Sequence, residues 1–299
     1  MRGITDQWFR QIYEKHYGKF DYILTPFIPT VKGKQVRKTH IRDIHPRYND
    51  LTRVIPQIIG NDSEGFLLLC SEFSNYGFKH VNWNLGCPSP LITRKKRGSG
   101  LLPYPDSIKK ILDNLLPKLN ISLSIKVRLG HENPDELKKL IPVLNDYPIK
   151  ELIIHPRTGI QMYTGEVDLK RFEVCNNLCN HPIVYNGDIC SASDLQHLSF
   201  RFASVNKWMI GRGIIKDPAL LSNVRGVTIN DPKKRFQSFH DELLELNCSA
   251  LSTESKILGK MKELWGYLGE KLSVKSLLRT ESLKSYKAEA GKLIELKFK

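Results

Sequence analysis

Seven short apolar runs recur along the chain up to about residue 213, and segments of helical periodicity separate most of them. The runs lie at residues 21–26, 54–59, 81–85, 123–130, 151–157, 182–188 and 207–213. They are too uniformly apolar for one-sided sheets and suit strands buried on both faces. Between them, Ser63 and Glu64 open a helix through Phe66, Leu67, Cys70 and Phe73, and residues 107–119 form another. Residues 134–144 are expected to be helical, with Pro134 in the first turn and Pro142 a kink or early end. Ser191 or Ser193 caps a helix containing Leu195 and Leu198. Before the first run, Thr5 or Asp6 caps a helix through Trp8, Phe9, Ile12 and Tyr13. Alternation of this kind requires a parallel sheet, either doubly wound or closed as an eight-stranded barrel.

Polar residues near the strand ends favour the barrel. Gln57, Asn84, Lys126, Arg128, His155, Asn186 and Arg212 recur there. A doubly wound sheet would gather them at one switch point, whereas a barrel brings every strand end to one mouth. The expected fold is therefore an α/β TIM (β/α)8 barrel. Its first strand is missing, since nothing ahead of the Trp8 helix reads as a strand, and it is expected to precede Met1. From residue 231 glycine and proline thin out and helix formers dominate, through 242–246, 255–268 and 282–296. Leu258, Met261, Leu264, Trp265 and Leu268 repeat at helical spacing and predict a bundle core. The chain thus divides into a catalytic barrel, 1–230, and a small all-α domain, 231–299, with basic faces bearing Lys256, Lys260, Lys262, Lys271, Lys275 and Arg279.

The formal net charge of +15, from 46 basic and 31 acidic residues, points to a polyanionic partner, most commonly nucleic acid. No apolar run is long enough to span a bilayer, and no secretory leader is evident. Six thinly spread cysteines suggest no disulfide framework, which fits a reducing cytoplasm. Nothing implies a membrane or a protein partner, and a monomer is expected.

The chemistry concentrates at strand ends. In residues 81–90, Val81, Trp83 and Leu85 face one way and Asn82 and Asn84 the other. Gly86 and Pro88 then end the strand and leave the Cys87 thiol just beyond it. Lys126 and Arg128 share one face of their strand, where two inward cations call for an anion or an electron-rich ring. Together with Gln57 and His155 they form a donor set that suits the edge of a flavin. Asn186-Gly187-Asp188 and Gly211-Arg212-Gly213 follow the last two strands, where barrels bind phosphate. Cys87 suits proton delivery to a carbon beside one receiving a hydride, and a nucleophile's role would need a nearby base. Cys175, Cys179 and His181 lack a well-spaced fourth ligand, so no metal is predicted.

Taken in order, these motifs resemble those of the tRNA-dihydrouridine synthases of bacterial type. The matching pieces are residues 1–6 (Met1-Arg2-Gly3-Ile4-Thr5-Asp6) with Phe9-Arg10, then Gln57-Ile58-Ile59-Gly60 and Asn84-Leu85-Gly86-Cys87-Pro88. Lys126-Val127-Arg128-Leu129-Gly130, His155-Pro156-Arg157-Thr158, Asn186-Gly187-Asp188-Ile189 and Met209-Ile210-Gly211-Arg212-Gly213 complete the set. The resemblance implies FMN in the barrel mouth, with Met1, Arg2 and Gly3 along it. Gln57, Lys126 and His155 would contact its ring, and Asn186, Gly187, Asp188, Gly211 and Arg212 its phosphate end. It further implies reduction of tRNA uridines to 5,6-dihydrouridine, with hydride to uracil C6, a proton from Cys87 to C5 and NADPH as reductant. Asn84 and Arg157 would contact uracil, and the basic loop Arg94 to Arg97 and the helical domain would hold the RNA. The chain departs from the family at Pro156, where many members carry glycine, and in the first strand, represented only by Met1. The rival readings are an FMN barrel acting on a free pyrimidine and a non-catalytic RNA-binding barrel.

Overall fold

A computed structural model describes residues 3–31, 36–268 and 273–298. The chain falls into two compact units, one of Tyr22–Gly187 with Leu198–Met209, the other of the N-terminal residues through Asp21, Asp188–His197 and the chain from Ile210 onward.

The first unit is built on parallel strands. They are β1 (Ile23–Leu24), β2 (Ile28–Pro29), β3 (Val54–Ile55), β4 (Gln57–Ile59), β5 (His80–Leu85), β6 (Ser122–Gly130), β7 (Leu152–Thr158), β8 (Ile183–Asn186) and β9 (Lys207–Met209). Seven of them form one sheet in the order β2-β4-β5-β6-β7-β8-β9, and β1 pairs separately with β3. Sequential order with every pairing parallel is the winding expected of a (β/α) barrel. All seven apolar runs became strand positions. The first two are each interrupted next to a proline, Pro26 and Pro56, which cannot donate to a ladder. The Thr25 hydroxyl spans the gap by accepting the Gln57 N–H at 3.2 Å. Among the described residues none pairs β9 with β2.

The outward faces of the strands pack on helices. Trp83, fully buried, meets Phe66 of helix Ser63–Asn75 edge-on at 5.9 Å and donates its indole N–H to the Gly60 carbonyl at 3.0 Å. Two boundaries differ from expectation. The last strand stops at Met209, because a short helix, Arg212–Lys216, begins behind Gly211. The helix expected at 134–144 runs from Glu136 to Asn145 without ending at Pro142. Pro142 and Lys138 lie on its exposed face, so water can satisfy the carbonyl that the missing N–H leaves behind.

The second unit is helical. Helices Gln7–Tyr17, Pro232–Ala250, Glu254–Leu268 and Leu283–Lys297 share one apolar core containing Phe9, Tyr13, Phe239, Leu258, Met261, Leu264, Trp265, Leu268 and Tyr286. The stripe expected on the Glu254–Leu268 helix is buried throughout. Asp6 caps the first helix, accepting from Phe9 N at 3.0 Å. The division expected at residue 230 falls inside this unit, because Phe9 and Tyr13 meet Phe239 edge to face, which ties the N-terminal helix to the C-terminal helices. No helix is long and apolar enough to cross a membrane among the described residues.

Candidate active site

Register determines which side chains meet inside the sheet. Gln57 lies opposite Asn82, and Asn82 opposite Ser124, while Asn84 lies opposite Lys126 one layer on and Arg128 opposite His155 beyond that. Period-two alternation turns all of these to one face, where polar side chains must find partners. They find one another. Asn84 Nδ2 donates to Gln57 Oε1 at 2.7 Å, Gln57 Nε2 to Asn82 Oδ1 at 2.8 Å, and Asn82 Nδ2 to Ser124 Oγ at 2.8 Å. Ser124 Oγ lies 2.9 Å from His80 Nε2. Burial, with Lys150 and Lys207 nearby, pulls the His80 imidazole down to about 3, so it is neutral.

Cys87 sits at the end of β5 on a braced loop. Asn84 Oδ1 accepts the N–H groups of both Gly86, at 3.0 Å, and Cys87, at 2.8 Å. On the far side, Ser99 donates its N–H to the Cys87 carbonyl at 3.0 Å and its hydroxyl at 3.1 Å. Gly98, at φ +58°, passes so close that a Cβ there would stand 2.5 Å from the Cys87 carbonyl oxygen. Gly98 and Ser99 are thus the buried support of Cys87.

Two cations flank this loop. Burial, and the like charge of Arg128, push the Lys126 ammonium down from 10.5 to about 7, and Cys87 is near enough to oppose that shift. Burial also brings Arg128 down to about 10, against the favourable influence of Tyr163, and Arg157 lowers it further. Arg128 donates to the carbonyls of Gly86 at 3.0 Å and Thr158 at 2.7 Å, and its guanidinium lies 5.2 Å from the centre of the Tyr163 ring. Lys126 has no carboxylate partner among the described residues.

The remaining sequence-predicted residues distribute as follows. His155 and Arg157 are buried on β7, with Arg157 Nη1 3.2 Å from His155 Nε2. A guanidinium only donates, so His155 carries its ring proton on Nδ1. Arg157 also donates to the carbonyls of Thr164 and Gly165, which anchors the loop after β7. Asn186 donates to the Met209 carbonyl at 2.8 Å, and Gly187 packs so near His155 that a Cβ would stand 3.3 Å from its Cδ2. Asp188, Gly211, Arg212 and Gly3 belong to the helical unit. There Arg212 pairs with Asp188 at 2.9 Å, Gly211 caps the Arg212–Lys216 helix, and Gly3 lies against Glu263 with its carbonyl held by Lys260. Met1 and Arg2 lie outside the described residues, as do Lys271 and residues 32–35. In the basic loop, Arg94, Lys95 and Lys96 are exposed, but Arg97 is turned inward to Thr30 O and Asn61 Oδ1, at 3.2 and 3.1 Å. Among the described residues no three His, Cys, Asp or Glu side chains gather as a metal site, and His181 is bonded to the Leu144 carbonyl. Sequence reasoning passed over Asn82, Ser124, Ser99 and Tyr163. The first two carried a signal, since they share the alternation of Asn84 and Lys126.

The dihydrouridine synthase family model matches residues 1–295. The chain belongs to the dihydrouridine synthase family. It is similar to tRNA-dihydrouridine synthase B of Pasteurella multocida, 29% identical over 221 residues, covering 74% of this chain and 65% of that protein. The protein of that name from Escherichia coli K12 is 27% identical over 230 residues, with 75% and 69% covered. The chain therefore spans about two thirds of the length of these relatives. Among solved structures, a 2-naphthoyl-CoA reductase complex matches with TM-score 0.55 and 12% identity, covering 75% of this chain and 47% of that one. A TcOYE structure with pHBA matches with TM-score 0.54 and 11% identity, covering 80% and 89%. At such identities these neighbours speak for the barrel fold.

Proposed function

We propose that this dihydrouridine synthase family member reduces uridines in tRNA to 5,6-dihydrouridine, using FMN and NADPH. The observation that carries the reading is Cys87 at a strand end, its backbone braced by Asn84 and Ser99 and its side chain near enough to Lys126 and Arg128 to act on both cations.

The residues fit a flavin. An ammonium held near 7 with no carboxylate partner among the described residues is a poor structural element, but it would answer an electron-rich ring edge whose charge it would stabilise. Gln57 and His155 would complete the ring contacts, with Asn186, Gly187, Asp188, Gly211 and Arg212, and Met1, Arg2 and Gly3, carried as cofactor residues on the family resemblance. When bound, FMN supplies the hydride received by uracil C6. Cys87 holds a proton on Sγ and delivers it to C5, a general-acid role worth roughly 10²–10⁴-fold. Lys126 keeps positive charge at the mouth, and Arg157 orders the loop after β7. Asn84, whose amide is taken up by Gln57, Gly86 and Cys87, serves the substrate by presenting the thiol.

The net charge of +15 supports tRNA as the partner, held through its phosphates, with the target base turned out of its stack. Incubation of the purified protein with FMN, NADPH and unmodified tRNA should yield dihydrouridine, with tRNA affinity falling steeply as salt rises. Flavin reduction without any product in tRNA, but with turnover of free uracil, would overturn the substrate assignment.

A further inference from the structure

The polar ladder below Cys87 runs in one direction, and the direction is dictated by the backbone. Gly86 N–H and Cys87 N–H can only donate, so Asn84 must turn Oδ1 toward them. Its Nδ2 then faces Gln57 and obliges Gln57 to turn Oε1 upward and Nε2 down. Gln57 Nε2 needs an acceptor in a buried layer, and Asn82 Oδ1 supplies it, leaving Asn82 Nδ2 to donate to Ser124 Oγ. Asn82 and Ser124 are both fully buried and make no contact with solvent.

We infer that Asn82 is a positioning residue for Cys87, acting through Gln57 and Asn84 to hold the loop that presents the thiol. The reacting role of Cys87 rests on the proposed function, but the presentation of its thiol is measurable without any turnover. Each amide in the ladder could rotate by half a turn in isolation. The Gly86 and Cys87 amides fix the sense of Asn84 and Gln57 from above, and the acceptor at position 82 holds Gln57 Nε2 from below, so that without it this donor is unsatisfied in a buried layer and the grip of Gln57 on Asn84 loosens. The lower part of the ladder is less demanding, because a hydroxyl at Ser124 can donate or accept.

This asymmetry sets the test. Asn82→Leu removes the acceptor and keeps the number and branching of side-chain heavy atoms. Asn82→Asp keeps it, since a carboxylate accepts from Gln57 Nε2 and from the Ser124 hydroxyl alike. Alkylation of the folded protein by iodoacetamide is followed at each cysteine by peptide mass spectrometry, with exposed Cys248 as the internal standard. Amide exchange is read on a peptide spanning residues 86–90, where Pro88 and Pro90 contribute no amide. The expected result for Asn82→Leu is a change of about fivefold or more in the Cys87 rate, faster exchange at Gly86 and Cys87, and an unchanged Cys248 rate. Asn82→Asp should restore wild-type behaviour within about twofold. Should the leucine variant not fold, Asn82→Ala serves in its place. Wild-type alkylation and exchange in the folded Leu or Ala variant, or an Asp variant as altered as the Leu variant, would overturn the inference. Neither outcome depends on whether tRNA is the substrate.

Discussion

Two buried polar clusters, one in each unit, differ in what they leave unanswered. In the helical unit, Trp265 Nε1 donates to Tyr286 Oη at 2.9 Å, Tyr286 Oη lies 2.8 Å from His240 Nε2, and His240 Nδ1 lies 2.9 Å from Asp241. That network closes on a carboxylate and needs nothing more. In the barrel unit, amides close the lower layer in the same way, but the layer above holds two cations and, among the described residues, no carboxylate beside Lys126. Arg128 is answered by the Gly86 and Thr158 carbonyls, whereas half-buried Lys126 is not answered in this way, and burial of an uncompensated charge is costly. The closed cluster is architecture, and the open one is where the proposed flavin would sit.

Substitutions can break or sharpen this contrast. The largest effect among them is expected at Lys126. Lys126→Met should weaken FMN binding by about 10- to 100-fold, measured by flavin fluorescence titration, as expected for loss of a charged hydrogen bond. The same variant should melt higher than wild type without flavin. Its ammonium titrates near 7 when folded and near 10.5 when unfolded. Between those values the unfolded chain binds the proton that the folded chain has lost, so wild-type stability rises with pH across that window. The advantage of Lys126→Met should therefore be greatest below pH 7, at about 3–6 °C, and shrink as pH rises. An apoprotein that melts lower than wild type would mean that Lys126 is already compensated. In the closed cluster the expectation reverses. Tyr286→Phe should cost about 1–3 kcal/mol in denaturant unfolding and leave flavin affinity unchanged. The smallest effect belongs to the surface, where Lys109 pairs with Asp113 one helical turn away at 3.2 Å. Lys109→Ala should leave the melting temperature within about 1 °C, because solvent screens such pairs.

How much of this was legible follows from where each signal resides. Strand positions were legible because burial on both faces writes apolar runs, and the inward faces because alternation has period two. The helix from Gln7 announced itself through Asp6, and the Leu258 to Leu268 stripe through its spacing. What could not be read was partnership across the chain. Nothing local shows that Asn84 spends its carbonyl on Gly86 and Cys87, or that Arg97 turns inward to Thr30 while its neighbours face water. Gly98 and Ser99 look like a mobile loop until the Cys87 carbonyl is placed against them. The grouping of helix Gln7–Tyr17 with the C-terminal helices depends on contacts more than 200 residues apart in sequence, such as Tyr13 on Phe239.

The central claim is that the braced thiol of Cys87 supplies the proton. It is tested most directly by single-turnover reduction of unmodified tRNA, comparing wild type with Cys87→Ala, each loaded with FMN and prereduced. The account predicts flavin and tRNA binding within about twofold of wild type and dihydrouridine formation slowed about 100-fold or more. Formation at near the wild-type rate across pH would contradict it.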